Sequence, residues 1–334
     1  MVKIAVVGAL TNTGREILSL MAENNIPAED IYALDHKCPL GTLESYGEDD
    51  EIDVFNAEDF NKADVDVVIF ATDEELTKKY MKKSVFKNAK IIDCSGAVLT
   101  DEKVPMIVSG VNDTLLQDKN LKVVGVPSAV TTQILAPLAK VNEIYPLTRI
   151  VASAYLATSF YGKEGMDELF NQTRKIYMNT TLVDDEQVFQ KQIAFNVLPQ
   201  VGEFIGEETK NEWLVNAEIK KVLGGNMKVH LNAAFVPAFI GAGLFVNVEC
   251  AKAIDLDEIK ALMSKTEGTV VFDKQTDGGY VSINDVQGEN DIYISRIRQD
   301  LSCQNGFSFW AVADDLRADV ASNTFNVMKL MLKK

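Results

Sequence analysis

The segment GVPSAVTTQILAPL, residues 125–138, has the arrangement in which α/β enzymes often mount a nucleophile. The apolar residues LKVV before it predict a buried strand, and TTQILAPLAKV after the turn predicts a helix. The unpaired backbone N–H groups at such a strand-to-helix turn stabilise negative charge. The turn itself holds Ser128, Ala129 and Val130. An alanine therefore stands where a nucleophile would be expected.

A second candidate is the loop VVGALTNTGREIL, which connects the first predicted strand to the first predicted helix. Gly8 and Gly14 occupy the outer positions of a dinucleotide-binding fingerprint. The middle position is Thr11, whose Cβ obstructs close approach of the backbone to a pyrophosphate. The loop is either a dinucleotide site or a tight turn in which Thr11 or Thr13 caps the helix. The candidate cofactor-binding residues are Gly8, Thr11, Asn12, Thr13, Gly14 and Asp35.

Asp35 ends the second predicted strand, where an acidic side chain can bond the ribose hydroxyls of NAD. The same carboxylate would repel the 2′-phosphate of NADP by up to roughly 4 kcal/mol at contact, with an effective dielectric near 20. NAD and NADP are thus the candidate cofactors, and NAD is favoured. The adjacent His36 and Lys37 weaken that preference. A solvated loop aspartate without a ligand is the alternative.

Candidate bases and metal ligands are scarce. The only histidines are His36, in the cofactor-side loop, and His230, on a predicted strand where we expect a structural histidine with its hydrogen bonds satisfied. Serine–histidine or cysteine–histidine catalysis needs a base within hydrogen-bond reach of the nucleophile. The four cysteines are widely spaced, which predicts neither a zinc site nor a disulfide framework and is typical of a cytoplasmic protein.

Length and charge narrow the class of protein. A chain of 334 residues, 47% hydrophobic, is long enough for two domains with a sizeable core. Acidic residues outnumber basic ones by 49 to 33, and a net charge of −16 argues against nucleic acids and anionic membranes as partners. We expect no signal peptide, because the apolar run in MVKIAVVGAL is short and is followed by polar TNTGRE. The apolar segment 231–248 is interrupted by Pro237 and two glycines, so we also expect no membrane span.

Two kinds of element pattern divide the chain. The first 130 residues alternate short β-branched runs with amphipathic stretches, which predicts a doubly wound parallel sheet of the Rossmann type. From about Thr148, long strands with fewer helices predict an α+β domain. The helical segment LRADVASNTFNVMKLML is expected to return to the first domain. We therefore predict one domain from 1–131 plus 315–334 and a second from 132–314.

Six segments together resemble the aspartate-semialdehyde dehydrogenase family over essentially the whole chain: VVGALTNTGREIL, KIIDCSGAV, VPSAVTTQ, GKEGMDEL, QIAFNVLPQ and FSFWAVADDLR. The resemblance implies an N-terminal dinucleotide-binding domain and a C-terminal domain that dimerises. It also implies NADPH-dependent reduction of β-aspartyl phosphate through a thioester on a cysteine. That cysteine belongs to a Pro-Asn-Cys-Ser/Thr-Thr turn, which is matched here by VPSAVTT.

Carried over residue by residue, the resemblance implies that the reacting groups are replaced. Ala129 stands at the cysteine and Ala242 at the acid–base histidine. Cationic and amide groups of the family's substrate site become apolar, and Glu212 alone is kept, as a substrate-binding residue or as a solvated helix residue. Such a pocket should not compensate a doubly charged phosphate. The substituted positions are Phe235 and Leu99 for arginines, Leu214 for a lysine, Leu156 for a glutamine and Asp315 for the asparagine of the closing motif.

The resulting hypothesis is a non-catalytic homologue, similar to the nucleophile-lacking Usg-like group, that acts as a binding or partner module. We expect a homodimer, with a heterodimer with an active homologue as the alternative. The rival hypothesis is an NAD(P)-dependent semialdehyde dehydrogenase, or another oxidoreductase that works without the family cysteine. Cys94 and Ser128 are substitute nucleophiles to consider, but Cys94 matches a non-nucleophilic position and Ser128 has no base in sequence to activate it.

Overall fold

The computed structural model describes residues 2–48, 50–180 and 187–333. Its contacts divide the chain into two compact units, Met1–Ser128 with Val320–Lys334, and Ala129–Asp319. The boundaries predicted from sequence, after residues 131 and 314, lie a few residues from these divisions. The first division falls where a helix begins at Ala129, and the second falls inside a π-helical segment.

The first unit is built on a seven-stranded sheet of order β3-β4-β2-β1-β5-β6-β7. All of its strand pairs are parallel except β3 with β4. The α-helices among the described residues of this unit are α1 (Asn12–Glu23), α2 (Glu74–Tyr80) and α8 (Ser322–Leu332). The strands are β1 (Ile4–Val7), β2 (Ile31–Asp35), β3 (Thr42–Tyr46), β4 (Asp50–Asn56), β5 (Val67–Phe70), β6 (Lys90–Asp93) and β7 (Val123–Gly125).

The central strands of this sheet are buried on both faces, as their unbroken apolar runs predict. Side chains of α1 and α8 share one core cluster with alternate residues of β1, and the other face packs against aromatic residues such as Tyr80 and Phe86. In α8, Asn323 accepts a hydrogen bond from the backbone N–H of Ser109 (2.8 Å) and donates to the carbonyl of Ile107 (3.0 Å). The predicted Rossmann-type α/β architecture is confirmed.

The second unit is a six-stranded mixed sheet of order β11-β8-β12-β15-β14-β13 with a small β9–β10 hairpin. The outer pairs β11–β8 and β13–β14 are parallel, and the inner pairs are antiparallel. Its strands are β8 (Leu147–Leu156), β9 (Phe204–Ile205), β10 (Glu208–Thr209), β11 (Lys228–Phe235), β12 (Ala242–Cys250), β13 (Thr269–Val271), β14 (Ile292–Asp300) and β15 (Gly306–Ala313). Its helices are α3 (Ala129–Leu135), α4 (Ala139–Ile144), α5 (Gly162–Tyr177), α6 (Lys210–Leu223) and α7 (Leu256–Ser264), and a π-helix spans Asp315–Ala321.

The two faces of this sheet differ. Along β8, Ile150, Ala152 and Ala154 are buried on the face where α3 and α6 pack. The intervening residues, among them Ser153 and Tyr155, stay partly exposed on the opposite face. This alternation is that of a sheet with one covered and one open face, and it confirms the predicted α+β domain.

Two predicted helices differ from the structure. The helix predicted over TTQILAPLAKV is broken at Pro137 into α3, a 3₁₀ turn at Ala136–Leu138 and α4. Proline has no N–H to donate, and its ring clashes with the carbonyl four residues earlier. The first turns of LRADVASNTFNVMKLML form the π-helix, with the Asp314 carboxylate accepting from the N–H groups of Leu316 (3.0 Å) and Arg317 (3.1 Å). Apolar periodicity over so few residues does not distinguish π-helix from α-helix.

Candidate functional site

Three of the positions singled out in the sequence meet at one end of the second unit's sheet. Leu156, the last residue of β8, is the register partner of Phe235 in β11 and of Ala242 in β12. All three side chains are buried, with 3%, 2% and 1% exposure respectively. Parallel pairing of β8 with β11 and antiparallel pairing with β12 bring these ends together. The family resemblance implies that the three positions belong to one pocket, and the sheet register makes Phe235 and Ala242 the neighbours of Leu156 on either side.

Helix α3, which begins at Ala129, is attached to the same place. The side-chain amide of Gln133 is fully buried, and its Nε2 donates to the carbonyl of Ala242 at 2.9 Å. Thr131 of α3 donates to the carboxylate of Glu218 in α6 at 2.5 Å. Ala129 thus starts a short helix that is fixed by polar side chains beside an apolar corner.

Phe235 is part of the hydrophobic core. Its ring centroid lies 5.5 Å from that of Phe160, 5.2 Å from Tyr161 and 5.1 Å from Phe189. Tilted and edge-to-face arrangements at these distances are favourable aromatic packing. Aromatic rings therefore surround the position at which the resemblance implies an arginine.

The wall around Phe235 is held by buried polar side chains of α5. Glu168 accepts hydrogen bonds from the backbone N–H groups of Val188 (2.6 Å) and Phe189 (3.2 Å). Gln172 donates to Glu168 (2.7 Å), and its carbonyl oxygen accepts from the N–H groups at 193 and 194 (2.9 and 3.1 Å). A two-way backbone bridge then joins Leu198 to Phe235. These contacts give a structural role to the motifs GKEGMDEL and QIAFNVLPQ.

Glu212 has a structural role as well. Its carboxylate closes a capping box at the start of α6, accepting from the backbone N–H (2.8 Å) and the hydroxyl (2.9 Å) of Thr209. The second oxygen accepts from the N–H of Ala233 in β11 at 3.2 Å. The expectation of a solvated helix residue is therefore wrong, because both oxygens are used to join α6 to the hairpin and the sheet. Leu214, two residues further along α6, is partly buried.

Asp315 is a functional candidate that sequence reasoning recorded only as a substitution. Its carboxylate accepts from the backbone N–H of Gly241 at 2.7 Å and from the hydroxyl of Ser159 at 2.9 and 3.0 Å. Burial raises the pKa of Asp315 to about 6. The negative charge of Asp314 also raises this pKa, and the hydrogen bonds from Gly241 and Ser159 oppose the shift. The signal available in the sequence was an acidic pair directly after the apolar strand FSFWAVA.

Leu99 and Cys94 belong to the first unit, in the turn after β6. The fully buried carboxylate of Asp93 shapes this turn by accepting from the N–H groups of Ser95 (2.8 Å) and Val98 (2.9 Å), and Leu99 is 8% exposed. The Cys94 thiol lies 3.2 Å from the hydroxyl of Thr324. Burial raises the pKa of Cys94 to about 12, so the thiolate that a substitute nucleophile requires is not formed near neutral pH.

The glycine loop has the backbone geometry of a strand-to-helix turn. Gly8 has φ +93°, and a Cβ there would lie 2.4 Å from the carbonyl oxygen of Ala71. A Cβ at Gly14 would lie 2.0 Å from the carbonyl oxygen of Gly8. Thr11 is the N-cap of α1, and its hydroxyl oxygen accepts a hydrogen bond from the N–H of Gly14 at 3.0 Å. The same hydroxyl donates to the carbonyl oxygens of Gly8 and Ala71, each 2.8 Å away. Asn12 and Thr13 are the first helical residues, so Thr11 rather than Thr13 caps the helix.

Asp35 lies at the carboxyl end of β2, as predicted, and is tied to the glycine loop. One carboxylate oxygen accepts from the N–H of Leu10 and the other from the N–H of His36, at 2.8 and 2.7 Å. Nδ1 of His36 is 2.6 Å from the hydroxyl of Tyr80. A carboxylate has about four lone-pair sites, so these two bonds leave acceptor capacity for ribose hydroxyls. Asp35 could therefore hold the ribose hydroxyls of a dinucleotide, whose nicotinamide would supply hydride chemistry, while the Cβ of Thr11 occupies the middle position of the loop.

His230 differs from its prediction. It is exposed on β11, and its ring makes no hydrogen bond with any residue the structure describes, so it is a surface histidine rather than a satisfied structural one.

Across residues 2–48, 50–180 and 187–333, no group of three or more His, Cys, Asp or Glu side chains could hold a metal ion. No described helix is both long and apolar enough to cross a membrane.

The family models match both parts of the chain. Residues 3–119 match a semialdehyde dehydrogenase NAD-binding domain, and residues 135–318 match a semialdehyde dehydrogenase dimerisation domain. An aspartate-semialdehyde dehydrogenase from Rickettsia bellii is 32% identical over 332 residues, covering 99% of this chain and 97% of the relative. One from Legionella pneumophila is 27% identical over 339 residues, covering 99% and 96%.

Solved structures agree with this assignment. Aspartate semialdehyde dehydrogenase II from Vibrio cholerae, solved in complex with ASA, superposes with a TM-score of 0.92 at 26% identity, covering 99% of this chain and 98% of that one. The enzyme from Candida albicans, solved with NADP, has a TM-score of 0.71 at 17% identity and 99% and 98% coverage, and supports the fold alone. The chain belongs to the aspartate-semialdehyde dehydrogenase family, with the NAD-binding and dimerisation domains of that family.

Proposed function

We propose that this protein is a family member without dehydrogenase chemistry, comparable to the nucleophile-lacking Usg-like group, and that it acts as a binding or partner module. The observation that carries this proposal is the burial of Leu156 between its register partners Phe235 and Ala242 at the ends of three strands. Their hydrocarbon side chains offer neither a proton carrier nor a positive charge, and α3 begins with Ala129 instead of a thiol. Transfer of a doubly charged phosphate into such a corner would be strongly unfavourable.

The direct test measures phosphate-dependent reduction of NAD and of NADP by aspartate semialdehyde. We expect no turnover above the uncatalysed background, because covalent catalysis of this type needs an activated nucleophile and a base to assist it. The Vibrio cholerae enzyme, purified and assayed in the same way, is the positive control. Turnover approaching that of the control would contradict the proposal and favour the alternative function of an NAD(P)-dependent semialdehyde dehydrogenase.

We also propose that the first unit binds NAD in preference to NADP. Asp35 supports this proposal, since its carboxylate is fixed at the end of β2 by Leu10 and His36. A fixed negative charge at that position favours ribose hydroxyls and disfavours a 2′-phosphate. The cofactor would then serve binding or sensing rather than turnover.

We further propose that the protein is a homodimer whose subunits associate through the open face of the six-stranded sheet. Tyr155, Phe245 and Trp310 form an aromatic group on that face, with Phe245 and Trp310 ring centroids 4.8 Å apart and Phe245 37% exposed. Large aromatic side chains of this kind are typical interface residues. A heterodimer with an active homologue would use the same face.

All four cysteines are free, in keeping with a cytoplasmic location.

A further inference from the structure

A cavity of about 520 Å³ lies on the open face of the six-stranded sheet, within the second unit. Phe245 of β12 and Trp310 of β15, which are register partners, line it on the sheet. Residues 280–284, in the loop between β13 and β14, line it from outside the sheet. Small-molecule sites in proteins commonly have volumes of roughly 300–1,000 Å³ and mostly apolar walls. The cavity therefore has the size and the lining of a small-molecule site.

Hydrogen bonds hold the loop beside the sheet. The indole N–H of Trp310 donates to the carbonyl of Val281 at 2.9 Å, and the N–H of Val281 donates to the hydroxyl of Ser295 at 3.3 Å. Ser295 of β14 is fully buried and donates in turn to the carbonyl of Phe272 at 2.7 Å. Because these bonds tie two points of the loop to β14 and β15, the cavity is already formed in the folded protein, as ligand pockets usually are.

The aromatic walls are set by the strands. A Cβ at Gly243 would lie 2.2 Å from the Trp310 ring, so the indole packs directly on the backbone of β12. The ring of Phe245 lies beside it, with the two centroids 4.8 Å apart. Tyr280 adds a half-exposed ring from the loop. The cavity thus offers three aromatic side chains to a flat, apolar group.

Of the described residues that line the cavity, Arg296 alone is charged. It follows Ser295, the register partner of Trp310, where the pairing of β14 with β15 becomes irregular. Its φ of +56° lies in the left-handed region, which long side chains rarely adopt. Irregular pairing re-aims a side chain, and strained residues of this kind cluster at ligand-binding sites. The backbone of β14 therefore directs a cation to the cavity.

The Arg296 guanidinium is accessible to a ligand. The residue is exposed, and its side chain forms no ion pair or hydrogen bond with any residue in the described parts of the chain. The Asp273 carboxylate accepts the backbone N–H of Arg296 at 2.8 Å, and its other oxygen lies 2.9 Å from Nζ of Lys260. Asp285, beside the cavity, accepts from the N–H and the hydroxyl of Ser282 at 2.8 and 2.7 Å. Both carboxylates have partners of their own, and neither neutralises the guanidinium.

We propose that this cavity binds an aromatic monocarboxylate. The ring of the ligand packs against Phe245, Trp310 and Tyr280, and its carboxylate pairs with the guanidinium of Arg296. The planar fork of the guanidinium matches a carboxylate, and a single positive charge favours a monocarboxylate over a doubly charged phosphate. The site is distinct from the buried corner at Leu156, so the proposal does not rest on the loss of dehydrogenase chemistry.

The test compares three small molecules in ligand-observed NMR titrations of the full-length protein at neutral pH. They are phenylacetate, its neutral amide phenylacetamide, and cyclohexylacetate, which keeps the charge without the aromatic ring. We expect phenylacetate to bind most tightly. Arg296→Gln should weaken phenylacetate about tenfold or more, the effect of losing a hydrogen bond to a charged group, and should leave phenylacetamide nearly unchanged. Phe245→Leu should weaken phenylacetate more than cyclohexylacetate.

Matched variants separate the specific contact from net charge and from folding. Arg174→Gln, at an exposed position of α5 outside the cavity lining, makes the same change in net charge and should bind phenylacetate as the wild type does. Arg296→Lys keeps the charge without the planar fork and should have intermediate affinity. The proposal is overturned by no binding of phenylacetate, by equal binding of phenylacetate and phenylacetamide, or by undiminished phenylacetate binding in Arg296→Gln.

Phe245 also belongs to the face proposed for dimerisation. A bound ring and a second subunit would compete for this side chain, so saturating phenylacetate should shift the sedimentation equilibrium towards monomer. Binding without that shift would support the cavity site and place the dimer interface elsewhere. The semialdehyde assay on the same preparation tests the proposed function separately, because turnover there does not depend on this cavity.

Discussion

Leu156 and Ala242 are direct cross-strand partners in the antiparallel β8–β12 pair, and both side chains are buried. In the family resemblance these two positions carry a glutamine and the acid–base histidine. The resemblance therefore implies that hydrocarbon replaces two polar groups at directly paired positions of the sheet. Gln133 extends this relationship to α3 through its bond to the Ala242 carbonyl.

Restoring the thiol alone should not restore activity. In Ala129→Cys we expect phosphate-dependent NAD or NADP reduction to stay at the wild-type background, because no base stands at Ala242 and no cation at Phe235. The measurement is the semialdehyde assay, with unchanged thermal unfolding as the check that the variant is folded. Turnover clearly above wild type in this single variant would mean that the positions assigned to the histidine and arginine are wrong.

Asp35 should set the choice of cofactor. Calorimetric titration of the wild type is expected to give tighter binding of NADH than of NADPH, and Asp35→Asn should reduce that difference by removing the negative charge while keeping an oxygen for the Leu10 N–H. Asp59→Asn, on the nearby loop after β4, controls for net charge. A wild type that prefers NADPH would show that this carboxylate does not exclude the 2′-phosphate.

Asp315 should make stability depend on pH. Its folded pKa of about 6 is above the ordinary value of 3.8, so the native state binds more protons and its stability falls as pH rises from about 4 to about 6. The Asp315→Asn variant has no carboxyl group at this position and does not lose stability in this way. Relative to wild type, its free energy of unfolding should therefore rise by up to about 3 kcal/mol between pH 4 and pH 7. Urea unfolding of both proteins across that range measures the difference. A pH-independent difference would show that the carboxyl group titrates normally.

The Glu168 carboxylate should stabilise the folded protein. Glu168→Leu leaves the N–H groups of Val188 and Phe189 without their acceptor, and we expect a loss of about 3 kcal/mol in the free energy of unfolding. Faster amide hydrogen exchange over residues 188–194 should accompany it. Glu164→Leu, exposed on the same helix, is the control and should be nearly neutral. Equal effects from the two variants would argue against the buried hydrogen bonds as the cause.

Phe245 should control association. Phe245→Glu adds a charge to the open face of a chain that already carries −16, and should shift a wild-type dimer towards monomer in sedimentation equilibrium. Leu40→Glu replaces a fully exposed apolar residue of the first unit and should leave the dimer intact. A dimer that persists in Phe245→Glu would place the interface elsewhere.

The sequence predicts the elements well because strand and helix periodicity are local properties. β8, α5 and β15 follow directly from TRIVASAYL, GMDELFNQTRKIY and FSFWAVA. What it could not predict are the partners of polar side chains far apart in sequence. Glu212 binds Ala233 and Asp315 binds Gly241 and Ser159, and such pairs depend on how strands are ordered in the sheet. The site was therefore predictable as a set of positions, and its hydrogen bonds were not.

The glycine loop has a consequence for lineages related to this chain. Side chains at Gly8 and Gly14 would collide with backbone carbonyls of Ala71 and Gly8, so both glycines are needed for the turn to form whether or not a nucleotide binds. Purifying selection on folding alone would preserve that signature long after a cofactor had ceased to be used. Glycines at these two positions therefore report the geometry of a turn and do not by themselves indicate that a cofactor is used.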